Sequence, residues 1–135
     1  MTQDKYAYIY NKVKDALETD KLFLRPELSL SLLSRVVGTN TVYLSKAINN
    51  GFGCSYSQLI NCYRINYLIE EAQRTGENIA MLAARCRFWS RSTFFDVFRQ
   101  HTGMTPHRYM ENVRRSTFPK HMHDHEGQRI VIEEG

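Results

Sequence analysis

Residues 44–59 and 94–109 follow one pattern at an offset of 50 positions. Leu44 pairs with Phe94, Ile48 with Phe98, Gly53 with Gly103, Ser55 with Thr105 and Leu59 with Tyr109. Upstream the offset becomes 49, so that Val37 pairs with Cys86. Two copies of one helix-turn-helix-turn-helix pattern therefore flank a middle segment, residues 55–74, long enough for a single helix of twenty residues. A repeat of this kind can be purely structural, so its outward faces have to be tested for chemistry.

No stretch alternates with period two for long, and glycine and proline are sparse, so the chain reads as all-α, seven helices separated by short turns. The first helix runs from about Lys5 to Glu18, with Tyr6, Ile9, Tyr10, Val13 and Leu17 on one face. Arg25-Pro26 breaks the chain, because a residue before proline is pushed away from helix. Ser29 caps a second helix through Val37, with Leu30, Leu33 and Val37 inward and Gly38 at its end. Thr39 or Asn40 caps a third helix to about Asn49, followed by a glycine-containing turn and the long fourth helix. A fifth spans about Asn78 to Cys86, Ser90 caps a sixth to about His101, and Pro106 opens a seventh, where its missing N–H is harmless. The domain organisation that follows is an N-terminal helix and lead-in (1–27), a first helix-turn-helix (28–54), a linker helix (55–75), a second helix-turn-helix with a closing helix (76–115) and a tail (116–135).

At 100° per residue, Phe94, Val97, Phe98 and His101 share one side of the sixth helix. Phe88 joins that core, and Trp89 can staple against Phe94 just before the cap. The other side leaves Arg91, Ser92, Phe95, Asp96 and Arg99 for a partner. In the third helix Leu44, Ala47 and Ile48 face in, and Val42, Ser45, Lys46 and Asn49 face out. Both outward sets are short, mixed and hydrogen-bonding, which suits a helix placed in a major groove to read base edges. Asn40, Thr41 and Tyr43 at the start of the third helix, and Thr93 on the sixth, flank these faces and complete the candidate DNA contacts. Val42 is suited to a thymine methyl, Arg91 to a base edge and Arg99 to phosphate, while Phe95 either packs on sugar or closes over the domain's own edge. A twenty-residue linker is roughly 30 Å long, close to the ~34 Å of one DNA turn, so two reading helices could enter successive major grooves. Arg64 and Arg74, on that linker, are read as surface or intramolecular pairs.

Charge supports the same partner. Residues 84–115 carry seven arginines against Asp96 and Glu111, whereas residues 1–27 balance five bases with five acids. A basic cluster on an otherwise near-neutral chain suits a polyanion, here double-stranded DNA. Cys54, Cys62 and Cys86 lack any C-x-x-C spacing and are read as reduced packing residues. His121, His123 and His125 alternate in the tail, a spacing able to chelate a transition metal in an extended chain, but a solvated tail is the simpler reading. No cofactor, metal or small-molecule substrate is expected. The sequence contains no H-E-x-x-H, no G-x-S-x-G, no P-loop and no carboxylate pair in a setting for catalysis. There is neither a run of eighteen apolar residues nor a signal-peptide stretch, so the default address is the cytosol.

The run I-x-x-L-A-x-x-C-R-F-x-S-x-S-x-F-x-x-x-F-R-x-x-x-G-x-T-P-x-x-Y, from Ile79 to Tyr109, resembles the signature of the AraC/XylS family of bacterial transcription regulators. GTNTVYLSKAIN and CYRINYLIEEA are similar to its first half, and the likeness covers about residues 28–112. The G-T-N-x-x-Y-L-S variety resembles the output domains at the C-terminus of larger signalling proteins, including membrane-bound hybrid sensors. The resemblance implies a promoter-binding activator or repressor that touches RNA polymerase, with the signal sensed by an N-terminal part or by a separate protein. Three departures stand out. Arg87 replaces a usual glycine, where a left-handed residue costs on the order of 1 kcal/mol. Ser34 and Leu68 replace usual alanines. Asp96 holds a reading position commonly basic or neutral, where it would repel phosphate but can accept from cytosine N4. The alternative function is a helical protein–protein adaptor that uses the same faces.

Overall fold

The structure, a computed structural model, describes residues 2–115, with side chains from Lys5 onward. Among them are seven α-helices and no strand: α1 (Thr2–Glu18), α2 (Leu30–Val37), α3 (Thr41–Phe52), α4 (Tyr56–Thr75), α5 (Ile79–Cys86), α6 (Arg91–Thr102) and α7 (Pro106–Arg115), with a 3₁₀ turn at Leu22–Leu24. The histidine-containing tail lies outside the described residues. No helix among the described residues is long and apolar enough to cross a membrane.

Local chemistry sets the helix ends. Ser29 Oγ accepts from the Leu32 amide (3.0 Å) and Asn40 Oδ1 from that of Tyr43 (2.8 Å). Asn78 Oδ1 accepts from the Ala80 and Met81 amides, and Ser90 Oγ from that of Thr93 (3.2 Å). Each satisfies a donor that the first helical turn leaves without an intrahelical partner, worth about 1 kcal/mol. α4 opens with a reciprocal pair, the Ser55 amide donating to Gln58 Oε1 and the Gln58 amide to Ser55 Oγ. Left-handed residues close α2, α3, α5 and α6, namely Gly38, Gly53, Arg87 and Gly103.

The chain divides into two units between Arg64 and Ile65, within α4. In the first, α1 packs chiefly on α3 and also on α2. Val13, Leu17, Leu33, Leu44, Ile48 and Leu59 form its fully enclosed centre, and Leu30, expected inside, is only half-buried. α3 runs three residues beyond the expected Asn49, through Gly51 to Phe52. Packing explains the extension. A Cβ at Gly51 would collide with the Tyr10 ring of α1, and that ring meets Phe52 at a centroid distance of 4.5 Å. The bare glycine lets two helices approach closely, which offsets its low helix propensity. Ser34 is buried and donates to the Ser31 carbonyl (2.7 Å).

In the second unit α5, α6 and α7 pack in sequence around Ile79, Leu82, Phe94, Val97 and Phe98. Phe98 is 0% exposed, with Phe94 at 5.8 Å and Tyr109 at 5.6 Å between ring centroids. Trp89 stacks on Phe94 at 6.0 Å and 27° between planes, as the staple reading anticipates. Leu68 is fully buried on α4. Cys54, Cys62 and Cys86 are half-buried thiols outside any disulfide, and burial pushes Cys62 up to about 11, so it is protonated at neutral pH.

His101 is half-buried in the last turn of α6, and burial holds its imidazole below the ordinary value of 6.5. The native state then takes up a proton less readily than the unfolded chain, so acidification through pH 6.5 and below favours unfolding, and the penalty vanishes above that value. The melting temperature should therefore rise between about pH 5 and pH 7, and His101→Gln should flatten this rise. An unchanged profile in the variant would assign the dependence to other groups.

Candidate nucleic-acid interface

α3 and α6 each bury one side and expose the other. On α3, Leu44, Ala47 and Ile48 are at most 1% exposed, which fixes the rotation of the helix. Thr41, Val42, Lys46 and Asn49 are left exposed, and Ser45 is half-exposed. Val42 is 59% exposed, one of few large apolar side chains so placed among the described residues. Tyr43 is drawn partly inward: its ring meets Tyr6 edge-on at 6.2 Å and carries the Lys5 ammonium 4.0 Å from its centroid. Asn40 is occupied as the cap. The first candidate face therefore centres on Thr41, Val42, Ser45, Lys46 and Asn49, with Asn40 and Tyr43 at its edge, each also held by contacts within the unit.

On α6 the buried Phe94, Val97 and Phe98 leave Arg91, Ser92, Thr93, Asp96 and Arg99 exposed. The Thr93 hydroxyl is tied back to the cap, accepting from Ser90 Oγ at 2.9 Å. Phe95 does not stand out as part of the open face. It is half-buried, meets Phe94 edge-on at 5.3 Å and lines, with Pro106, Met110 and Val113, a hollow of about 730 Å³ in its own unit. Its ring also supports the Arg91 guanidinium at 5.4 Å, orienting that cation at the start of the helix. Asp96 Oδ1 lies 3.7 Å from Arg99 Nη2, both side chains more than half exposed. A pair so solvated is worth at most about 0.5 kcal/mol, so Arg99 can leave it for a phosphate at little cost. Asp96 thus tempers the cationic face without locking it.

Of the linker cations, Arg74 pairs with Glu71 at 2.7 Å. Arg64 instead is buried and donates to two main-chain carbonyls, Phe23 and Arg25.

The family model described as a helix-turn-helix domain matches residues 33–112, from α2 to α7 and across both exposed helix faces. The chain belongs to the AraC-type helix-turn-helix family. Among curated members it is similar to the HTH-type transcriptional regulator AdiY of Escherichia coli strain K12. The two are 28% identical over 109 residues, which make up 81% of this chain and 42% of that protein. An uncharacterised HTH-type transcriptional regulator of Staphylococcus aureus strain N315 is 30% identical over 99 residues, 73% of this chain and 13% of its own length. A solved structure from Listeria innocua, of a protein of unknown function, matches with a TM-score of 0.61 at 28% identity, over 74% of this chain and 95% of that one. The chain thus spans less than half the length of the curated relatives it matches. Those relatives are HTH-type transcriptional regulators.

Within this AraC-type pattern one departure has a structural outcome. The turn between α5 and α6 does not adjust to Arg87, which adopts φ 61° and ψ 33°, fully left-handed, with its amide donating to the Ala83 and Ala84 carbonyls. The Cβ crowding of that region costs about 1 kcal/mol, and the turn carries it.

Proposed function

We propose that the chain is the DNA-reading part of a transcription regulator, binding a promoter site specifically through α3 and α6 in successive major grooves. The observation that carries this reading is that both helices, matched by the internal repeat, bury an apolar side and expose a short polar and cationic one. Together the outward sets contain the groups base edges and phosphates require: from α3 an amide, hydroxyls, a methyl-bearing valine and a lysine, and from α6 a hydroxyl and two arginines. The twenty residues of α4 amount to about 30 Å of helix, near the ~34 Å of one duplex turn, which supports a bipartite site without obligatory dyad symmetry. The candidate contacts are Thr41, Val42, Ser45, Lys46 and Asn49 from the first unit and Arg91, Ser92, Asp96 and Arg99 from the second. The organisation into two helix-turn-helix halves around a linker helix belongs to the same proposal. So do a sensing part or signalling protein that controls the chain, contact with RNA polymerase, and work in the cytosol, including as the cytosolic output of a membrane-bound sensor.

Selection of random 30-base-pair duplexes at two salt concentrations tests the reading. Two short motifs about one helical turn apart, with affinity falling steeply as salt rises, are expected. No enrichment at either salt would overturn specific reading and favour a protein-binding adaptor. On the selected site, Arg91→Ala should change which bases are preferred, by about 1–3 kcal/mol at the affected position. Arg99→Ala should weaken all sequences alike and make the salt dependence shallower by about one phosphate contact. Equal loss on every sequence for both variants would remove the base-reading role of Arg91.

A further inference from the structure

Arg87 occupies a left-handed conformation that disfavours a long L side chain. The matching turn of the first repeat, between α2 and α3, holds Gly38 at φ 88° and ψ 37°, whereas the turn between α5 and α6 holds an arginine at φ 61° and ψ 33°. Glycine takes this region without steric cost, so the second turn retains a cation where the first shows the unstrained solution. A strained residue points to function when the side chain it keeps is accessible and suited to a partner. Arg87 is exposed, and no carboxylate among the described residues lies within ion-pair distance of it.

Arg87, Ser90 and Arg91 line one hollow of about 410 Å³ beside the first turn of α6, and the rest of its lining is Trp89, Phe94 and alanines of α5. Two guanidinium-bearing residues around one apolar-walled concavity, with no acidic residue in the lining, leave a positive potential that an anion would relieve. Ser90 is already committed to Thr93 through the cap, and Arg91 is the candidate for a base edge. Arg87 is the remaining cation of this hollow.

We propose that Arg87 contacts a backbone phosphate of bound DNA, at the edge of the groove that α6 enters. This rests on the DNA-reading function proposed above. It makes Arg87 a residue that positions the duplex without reading sequence, and it gives the left-handed arginine its use: the fold gives up stability at this turn and the complex gains a phosphate contact.

The test is binding of a mixed-sequence 30-base-pair duplex, followed by fluorescence anisotropy across a range of salt, to the wild-type chain and to Arg87→Gly, Arg87→Asn and Arg87→Lys. Arg87→Gly should melt a few degrees higher than wild type yet bind about three- to tenfold more weakly, with the slope of log affinity against log salt shallower by about 0.9. Arg87→Asn, which also tolerates the left-handed region, should repeat the loss, and Arg87→Lys should keep the slope. Wild-type affinity and slope in Arg87→Gly would overturn the phosphate contact and leave the DNA reading intact. A wild-type chain that binds no duplex at any salt would overturn both together.

Discussion

Arg64→Ala is expected to lower the free energy of unfolding by about 3–4 kcal/mol, a large share of the stability of a domain this size. The guanidinium is 6% exposed, and its Nε and Nη2 each donate to a carbonyl at 2.8 Å, of Phe23 and Arg25. Those carbonyls belong to the segment that leaves α1, a 3₁₀ turn followed by extended Arg25 and then Pro26, held locally by isolated i→i+3 bonds such as that from the Leu28 amide to the Arg25 carbonyl. One planar fork therefore ties this connecting segment to the first unit's part of α4. Charge-assisted bonds of this kind contribute about 1.5–3 kcal/mol each, and truncation removes both, although the Arg25 carbonyl keeps the Leu28 amide as a donor at 3.1 Å. Arg64→Lys should recover less than half of the loss, because an ammonium presents a point charge and not two parallel donors. Urea unfolding provides the measurement. A midpoint within the scatter of wild type for Arg64→Ala would mean that the lead-in is held by its apolar contacts, Phe23 on Tyr63 at 5.6 Å foremost.

Phe98→Ala should cost about 3–5 kcal/mol, against about 1 kcal/mol for Phe95→Ala three positions earlier. Phe98 is wholly enclosed, packed edge-on by Phe94 and Tyr109, and its removal opens a cavity in a unit too small to have a second core. Phe95 is half-buried and already faces a hollow, so its loss removes contact without creating an enclosed void. Its deletion should instead be felt through Arg91, whose guanidinium rests over the ring. Thermal unfolding of the two variants side by side checks this, and comparable losses would place Phe95 in the core.

Most of the helical frame is legible along the chain. Ser29, Asn40 and Ser90 act as caps and Pro106 opens α7, because a cap is a bond between a side chain and an amide two or three residues away; Asn78, read as the first residue of the fifth helix, is its cap. The rotation of α3 and α6, and with it the outward sets containing Lys46, Arg91 and Arg99, follows from helical periodicity for the same local reason. The repeat at offset 50 pairs the two helices from sequence alone.

What the tertiary structure decided involves partners far apart in sequence or a choice between conformations of similar energy. Nothing near Arg64 on the chain foretells its burial, since its acceptors lie 39 and 41 residues away. Gly51 reads as a turn signal, yet it is helical because the Tyr10 ring, 41 positions upstream, fills the place of its missing side chain. Phe95 and Tyr43 sit at the edges of their outward arcs, and only the neighbouring rings, Phe94 and Tyr6, settle how far each turns inward. At Arg87 the sequence permitted either an adjusted turn or a left-handed residue. The packing of α5 and α6 selected the second, because the burial of Phe88 and Phe94 on either side outweighs a local penalty of about 1 kcal/mol. Local bonds and periodicity thus determined the helices and their faces. Long-range packing determined which polar groups the fold uses itself and which it leaves for a partner.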